Sequence, residues 1–209
     1  EEVAVAKVVQ DVREALPTAD IYVYDNKSTD RTAEVARAAG AIVRTEESKG
    51  KGNVLRRAFA DIDADVYVLT DGDDTYGTAQ LPAMVSKLVS GPYDHVLGVR
   101  EESGITAYRP GHSFGNRAFN RIVSWLFRQH VSDMLSGCRV MSRRFVKSFP
   151  LLSREFEIET EMTIHYCSLS IPNAEMPVEF RERPEGSSSK LHTFRDGFKI
   201  LRLITNLVR

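Results

Sequence analysis

The sequence predicts an α/β domain, a mostly parallel sheet flanked by helices, and three observations predict it. Short β-rich runs at residues 21–24, 41–44 and 65–70 alternate with helical patterns at the pitch of βαβ units. Two of those runs end in clusters of Asp and hydroxyl residues, at the strand ends where parallel sheets hold their ligands. The 209 residues are 42% apolar and 27% charged, enough for one domain with a substantial core.

Val5, Val8, Val9, Val12 and Leu16 recur at helical spacing, and Pro17 stops the pattern. Residues 21–24 form a first strand. The polar turn Asp25-Asn26-Lys27-Ser28-Thr29-Asp30 follows, and its last residues cap a helix running to Ala39, which Gly40 terminates. Residues 41–44 are a second strand, 52–61 a helix and 65–70 a third, largely buried strand. Further on, 96–99 is strand-like, 100–112 a polar loop, and 114–128 a helix mixing aromatics with Arg117 and Arg121. Residues 155–168 are another helix, 174–180 a strand and 186–189 a loop. No internal repeat interrupts this order.

The formal net charge of -1 gives no support to a nucleic-acid partner. Cys138 and Cys167 lie far apart without metal-ligand spacing, as expected of buried thiols in a reducing compartment. The five histidines show no zinc-binding pattern. No apolar run reaches the ~18 residues a membrane span needs, and no signal peptide is visible. The chain opens directly into a helical pattern and stops at Arg209 inside an apolar-basic stretch, so an N-terminal strand and a C-terminal membrane element are both compatible with it.

The most informative segment is residues 66–74, an apolar strand ending in Asp71-Gly72-Asp73-Asp74. Three carboxylates within four positions repel one another unless a hard divalent ion, Mg²⁺ or Mn²⁺, relieves them and bridges to diphosphate oxygens. An acidic turn is the plain alternative. Asp25 is a pure acceptor suited to a base or ribose donor, whereas Ser28 and Asp30 by themselves look like helix caps. Lys49-Gly50-Lys51-Gly52-Asn53 opens a helix beside a candidate anion but lacks the P-loop pattern.

In that order and pitch, the Asp25–Thr32 turn, Gly50-Lys51-Gly52-Asn53 and Asp71-Gly72-Asp73 resemble the nucleotide-binding half of family 2 glycosyltransferases. The resemblance continues through Asp133-Met134-Leu135-Ser136-Gly137-Cys138-Arg139, Phe156-Glu157-Ile158-Glu159-Thr160-Glu161 and Arg183-Pro184-Glu185-Gly186-Ser187-Ser188-Ser189-Lys190. These segments are similar to the dolichyl-phosphate mannosyltransferase and polyprenyl-phosphate glycosyltransferase branch. The resemblance implies a GT-A, Rossmann-like catalytic domain over residues 1–185, with the family's first strand absent, followed by an acceptor loop and basic amphipathic helix at 186–209. It implies inverting transfer of a sugar from a UDP- or GDP-sugar to a polyprenyl phosphate, with Asp25 at the base, Asp71 at the ribose or metal, and Asp73 at the metal. Asn26, Ser28, Lys51 and Asn53 complete the expected donor side. Asn26 stands where many members carry a second Asp, and Cys138 where an aromatic is frequent.

On the acceptor side, Arg100, Arg117 and Arg139 come from three segments that a phosphate acceptor would need to converge. Ser136, Arg183, Ser189 and Lys190 join them. Asp133 either orients the acceptor or acts as base, although an ionised phosphate has little need of a strong base. Glu159 and Glu161, two apart, cannot share a helical face, and Glu159 is the expected site residue. From Gly186 onward five Lys or Arg face one acidic residue, and Phe194, Phe198, Leu201, Ile204 and Val208 form a stripe. We read this as a helix on the cytoplasmic face of a membrane, with packing on the domain as the alternative. Three readings stay open beside the main one: transfer to a glycan hydroxyl, a nucleotidyltransferase, and a non-catalytic nucleotide-sugar-binding protein.

Overall fold

The computed structural model describes residues 1–102 and 112–184. The chain alternates as the spacing predicts: α1 (Val5–Ala15), β1 (Tyr22–Asp25), α2 (Thr32–Ala38), β2 (Ile42–Thr45), α3 (Lys51–Asp61) and β3 (Val66–Leu69). Then come α4 (Leu81–Ser90), β4 (His95–Glu102), α5 (His112–Phe127), β5 (Arg139–Ser142), α6 (Arg143–Ser148), α7 (Ile158–Ser168) and β6 (Asn173–Phe180). Strands β1 and β2 pair in parallel, Tyr22 opposite Ile42. The second sheet has the order β3-β5-β4-β6, with β5 antiparallel to both neighbours and β4 parallel to β6.

Three elements lie outside the sequence reading. The first, α4, carries Leu81, Met84 and Leu88 on one buried face with a Pro in its first turn, a legible signal. The others are β5 and α6. β5 has four residues and begins with a fully buried arginine, so neither length nor composition marks it as a strand. Ser142 caps α6 by accepting from the Phe145 amide.

Alternation along β5 shows how the core is divided. Val140 packs with Leu81, Met84, Val96 and Val178 on one face of the sheet, whereas Met141 packs with Phe59, Phe145 and Met162 on the other. A third cluster, Val5, Val9, Ala36 and Ala41, holds α1 and α2 against the first sheet. Helix α7 is buried all round, Ile158 to Cys167, which explains why no clean amphipathic period marks it. Cys138 and Cys167 are buried free thiols, and burial pushes each up to about 12. No described helix is long and apolar enough to cross a membrane.

Candidate active site

The loops after β1 and β3 and the start of α3 meet the start of α7. Lys51 is the first residue of α3, where the helix dipole already concentrates positive charge. Two carboxylates offset that charge: Lys51 Nζ lies 2.5 Å from Asp71 Oδ1 and 2.5 Å from Glu159 Oε1. Burial alone would lower the Lys51 pKa, but these two anions outweigh it and hold the ammonium firmly protonated. Burial pushes the Glu159 carboxyl up, with Lys51 pulling against it. Glu161, as the two-residue offset requires, faces elsewhere and accepts from the Leu152 and Ser153 amides.

Glycines allow this convergence. At Gly50, φ is +122°, and a Cβ there would sit 2.2 Å from the Arg154 carbonyl oxygen. A Cβ on Gly137 would sit 2.6 Å from Asp71 Oδ2. Tyr76, which the sequence reading did not single out, holds Gly137 in place: its buried hydroxyl accepts from the Gly137 amide at 2.8 Å. Only its position just after the acidic run could have drawn attention to it.

Asp25 is buried at the tip of β1. Its Oδ2 accepts from the Ser28 amide at 3.4 Å, and its Oδ1 has no hydrogen-bond partner among the described residues. An orphaned buried acceptor suits a ligand donor. Ser28 itself is exposed. Asp73 is buried, with Oδ1 on the Thr75 hydroxyl at 2.6 Å and Oδ2 on Arg183 at 2.6 Å. Asp74, the third acid of the run, pairs with Lys7, and Asp30 takes the capping role by accepting from the Thr32 amide at 3.1 Å.

Four of the expected ligand-contacting residues have partners within the protein. Asn26 joins β1 to the following loop: Oδ1 accepts from the Gly50 amide, and Nδ2 donates to the Glu46 and Ser48 carbonyls. Asn53 donates to the Lys49 carbonyl and accepts from Arg56, securing the start of α3. Ser136 is fully buried, its hydroxyl accepting from the Cys138 amide. Arg139 is likewise fully buried and donates to the carbonyls of Met134, Ser136 and Glu159 and to the Thr163 hydroxyl. It is an internal tie between the 133–139 loop and α7, out of reach of an acceptor.

Arg100 is held between an acid and an aromatic ring. Asp133 grips its Nε and Nη2 at 2.7 Å each, and the guanidinium lies 5.2 Å from the Phe180 ring centroid. Arg117 is exposed on α5. Ser189, Lys190 and the rest of 186–209 lie outside the described residues.

No three His, Cys, Asp or Glu side chains among the described residues form a metal-binding group. The oxygen-only pair Asp71 and Asp73 still fits Mg²⁺ or Mn²⁺, which commonly take one or two protein carboxylates and complete their shell with phosphates and water. Lys51 and Arg183, each on one of these carboxylates, mark the positions as ones that favour positive charge.

Fold and site together define a GT-A domain. Residues 1–149 match the family model for glycosyl transferase family 2. The chain belongs to that family. It is 36% identical to the glycosyltransferase AglJ of Haloferax volcanii over 92% of this chain, spanning 64% of AglJ's length. It is 31% identical to the dolichyl-phosphate hexose transferase of the same organism over 99% of this chain and 89% of that one. Among solved structures, glucosyl-3-phosphoglycerate synthase from Mycobacterium tuberculosis, in complex with Mn²⁺, UDP and phosphoglyceric acid, superposes with a TM-score of 0.79 at 19% identity. That match covers all of this chain and 75% of the other.

Proposed function

We propose that the chain is the catalytic domain of an inverting transferase that moves a sugar from a nucleoside-diphosphate sugar to a polyprenyl phosphate. The observation that carries the acceptor is the state of the two candidate bases. Asp133 has both oxygens on Arg100, and Glu159 has its carboxylate on Lys51. Asp133, gripped at two points by a guanidinium, is a poor proton acceptor, and Glu159 keeps its carboxylate on the Lys51 ammonium, so an acceptor that is already ionised suits this site better than a glycan hydroxyl. The relative named dolichyl-phosphate hexose transferase supports the same choice.

On the donor side, Asp25 offers its unpartnered oxygen to the nucleotide, and Lys51 holds Asp71 in place. When bound, Mg²⁺ or Mn²⁺ on Asp71 and Asp73 would stabilise the negative charge developing on the departing diphosphate. On the acceptor side, Asp133 keeps Arg100 oriented for the acceptor phosphate, and Phe180 covers one face of the guanidinium. Transfer then requires only that an acceptor oxygen reach the anomeric carbon from the side opposite the diphosphate. Such a domain works at the cytoplasmic face of the membrane that holds its acceptor.

Incubation with radiolabelled nucleotide-sugars, Mn²⁺ and either a short-chain polyprenyl phosphate or a soluble oligosaccharide tests this reading. Label in the lipid fraction is expected. Label confined to the oligosaccharide would replace the acceptor assignment with its glycan-hydroxyl alternative, and pyrophosphate release from a nucleoside triphosphate would point to a nucleotidyltransferase.

A further inference from the structure

Tyr76 sits where the loop after β3 meets the end of β6. The Thr75 carbonyl accepts from the Arg181 amide at 2.8 Å, and the Gly77 amide donates to the Glu179 carbonyl at 2.9 Å. The main chain on either side of Tyr76 is therefore tied to β6 whatever its side chain does. That side chain is buried, and its two parts serve different neighbours. At the tip, the hydroxyl accepts from the Gly137 amide at 2.8 Å. Lower down, the ring meets the Phe180 ring edge-on, with centroids 5.2 Å apart and planes at 65°.

Each part leads on to a different side of the candidate site. Gly137 lies so close to Asp71 that a Cβ on the glycine would sit 2.6 Å and 3.1 Å from the two carboxylate oxygens. The Phe180 ring centroid lies 5.2 Å from the Arg100 guanidinium, which Asp133 grips from another direction. The phenol feels both sides: burial pushes its pKa up, Arg100 pulls it down and Asp71 pushes it up again. It stays protonated, so its contribution is to geometry and not to proton transfer.

We infer that Tyr76 is a positioning residue for both substrates, its hydroxyl fixing the Gly137 main chain against which Asp71 rests, and its ring fixing the Phe180 ring that lies over Arg100. The two roles separate by substitution. Phenylalanine keeps the ring and loses only the hydroxyl, which leaves the buried Gly137 amide without its acceptor. Leucine loses both. The ring's part rests on the proposed polyprenyl-phosphate acceptor, whereas the hydroxyl's part rests on metal-dependent nucleotide binding alone.

With the full 209-residue chain, calorimetry with UDP or GDP and Mn²⁺ reads the donor side, and steady-state transfer of radiolabelled sugar to a short-chain polyprenyl phosphate reads the acceptor side. Tyr76→Phe should weaken nucleotide binding about tenfold and leave the acceptor KM near that of the parent. Tyr76→Leu should weaken nucleotide binding as much and also raise the acceptor KM about fivefold. Phe180→Leu should raise the acceptor KM alone, and it carries the ring's part if Tyr76→Leu fails to fold. A residue that merely supports the fold would impair both sides in step with a fall in urea midpoint, and phenylalanine would not rescue one side only. The inference is overturned if Tyr76→Phe binds nucleotide as the parent does, if it raises the acceptor KM as much as Tyr76→Leu, or if Phe180→Leu keeps the parent's acceptor KM. A parent that transfers no sugar to the lipid refutes the proposed acceptor, and the ring's part with it, which differs from a lipid-active parent whose variants show no split.

Discussion

Lys51 and Glu159, 108 positions apart in sequence, meet at 2.5 Å, with Asp71 on the same ammonium at the same distance. A single cation between two carboxylates gathers α3, the loop after β3 and α7 around one point. Removing it leaves a buried Glu159 and a half-buried Asp71 as like charges without their counter-ion. Lys51→Met should therefore cost about 3–5 kcal/mol of stability, read as a fall in urea midpoint, and should abolish Mn²⁺-dependent nucleotide binding. The Lys51 pKa is raised in the fold, so its contribution is complete below the ordinary lysine value of 10.5 and fades only as pH climbs toward the folded value. Across pH 6–9 the difference between parent and variant should stay constant.

Gly137→Ala should act on the same carboxylate without removing a charge. Its Cβ would meet Asp71 Oδ2 at 2.6 Å, so Asp71 must move. We expect weaker Mn²⁺-dependent nucleotide binding, by at least tenfold in calorimetry, with a smaller loss of stability than Lys51→Met.

Asp133→Asn should separate orientation from base catalysis. Loss of the two charge-assisted contacts to Arg100 should lower apparent affinity for the acceptor phosphate about 10- to 100-fold, the equivalent of ~1.5–3 kcal/mol, and leave nucleotide binding alone. Steady-state kinetics with varied acceptor would show the change in KM.

Arg139→Met should unfold the protein rather than impair phosphate recognition. The guanidinium holds three carbonyls and a hydroxyl inside the core, and no bulk solvent replaces it. A loss of cooperative melting is expected. A folded variant with a selective acceptor defect would restore Arg139 to the acceptor site.

Both thiols should be inert in the native protein. Burial keeps Cys138 and Cys167 protonated up to about 12, so neither should react with iodoacetamide at pH 8, and both should react in urea. Because the folded values lie above the ordinary thiol value of 9.0, their contribution to stability is present below pH 9 and declines as pH rises toward 12.

The alternating first half was legible because each strand is short, β-branched and closed by a polar turn. Strand β5 was not, since Arg139 reads as a surface or ligand-binding residue until the carbonyls around it are seen. The same limit governs the site. Asp25, Lys51, Asp71, Asp73 and Glu159 stand out as charges that need a purpose, and the structure ties Lys51, Asp71 and Glu159 to one another by ion pairs. Asn26, Asn53 and Ser136 differ because a neutral polar side chain can serve the backbone as well as a ligand, and only their partners decide between the two. Tyr76 gave no sign beyond its position after the acidic run, since only the structure shows its hydroxyl accepting from the Gly137 amide.

The pH dependence of single-turnover transfer to a short-chain polyprenyl phosphate, for the parent and Asp133→Asn at saturating acceptor, tests the base-free account most directly. Both rates should rise with the second ionisation of the acceptor phosphate, near ~pH 6, and stay level above it. A limb belonging to the protein, present in the parent and missing from Asp133→Asn, would contradict the account.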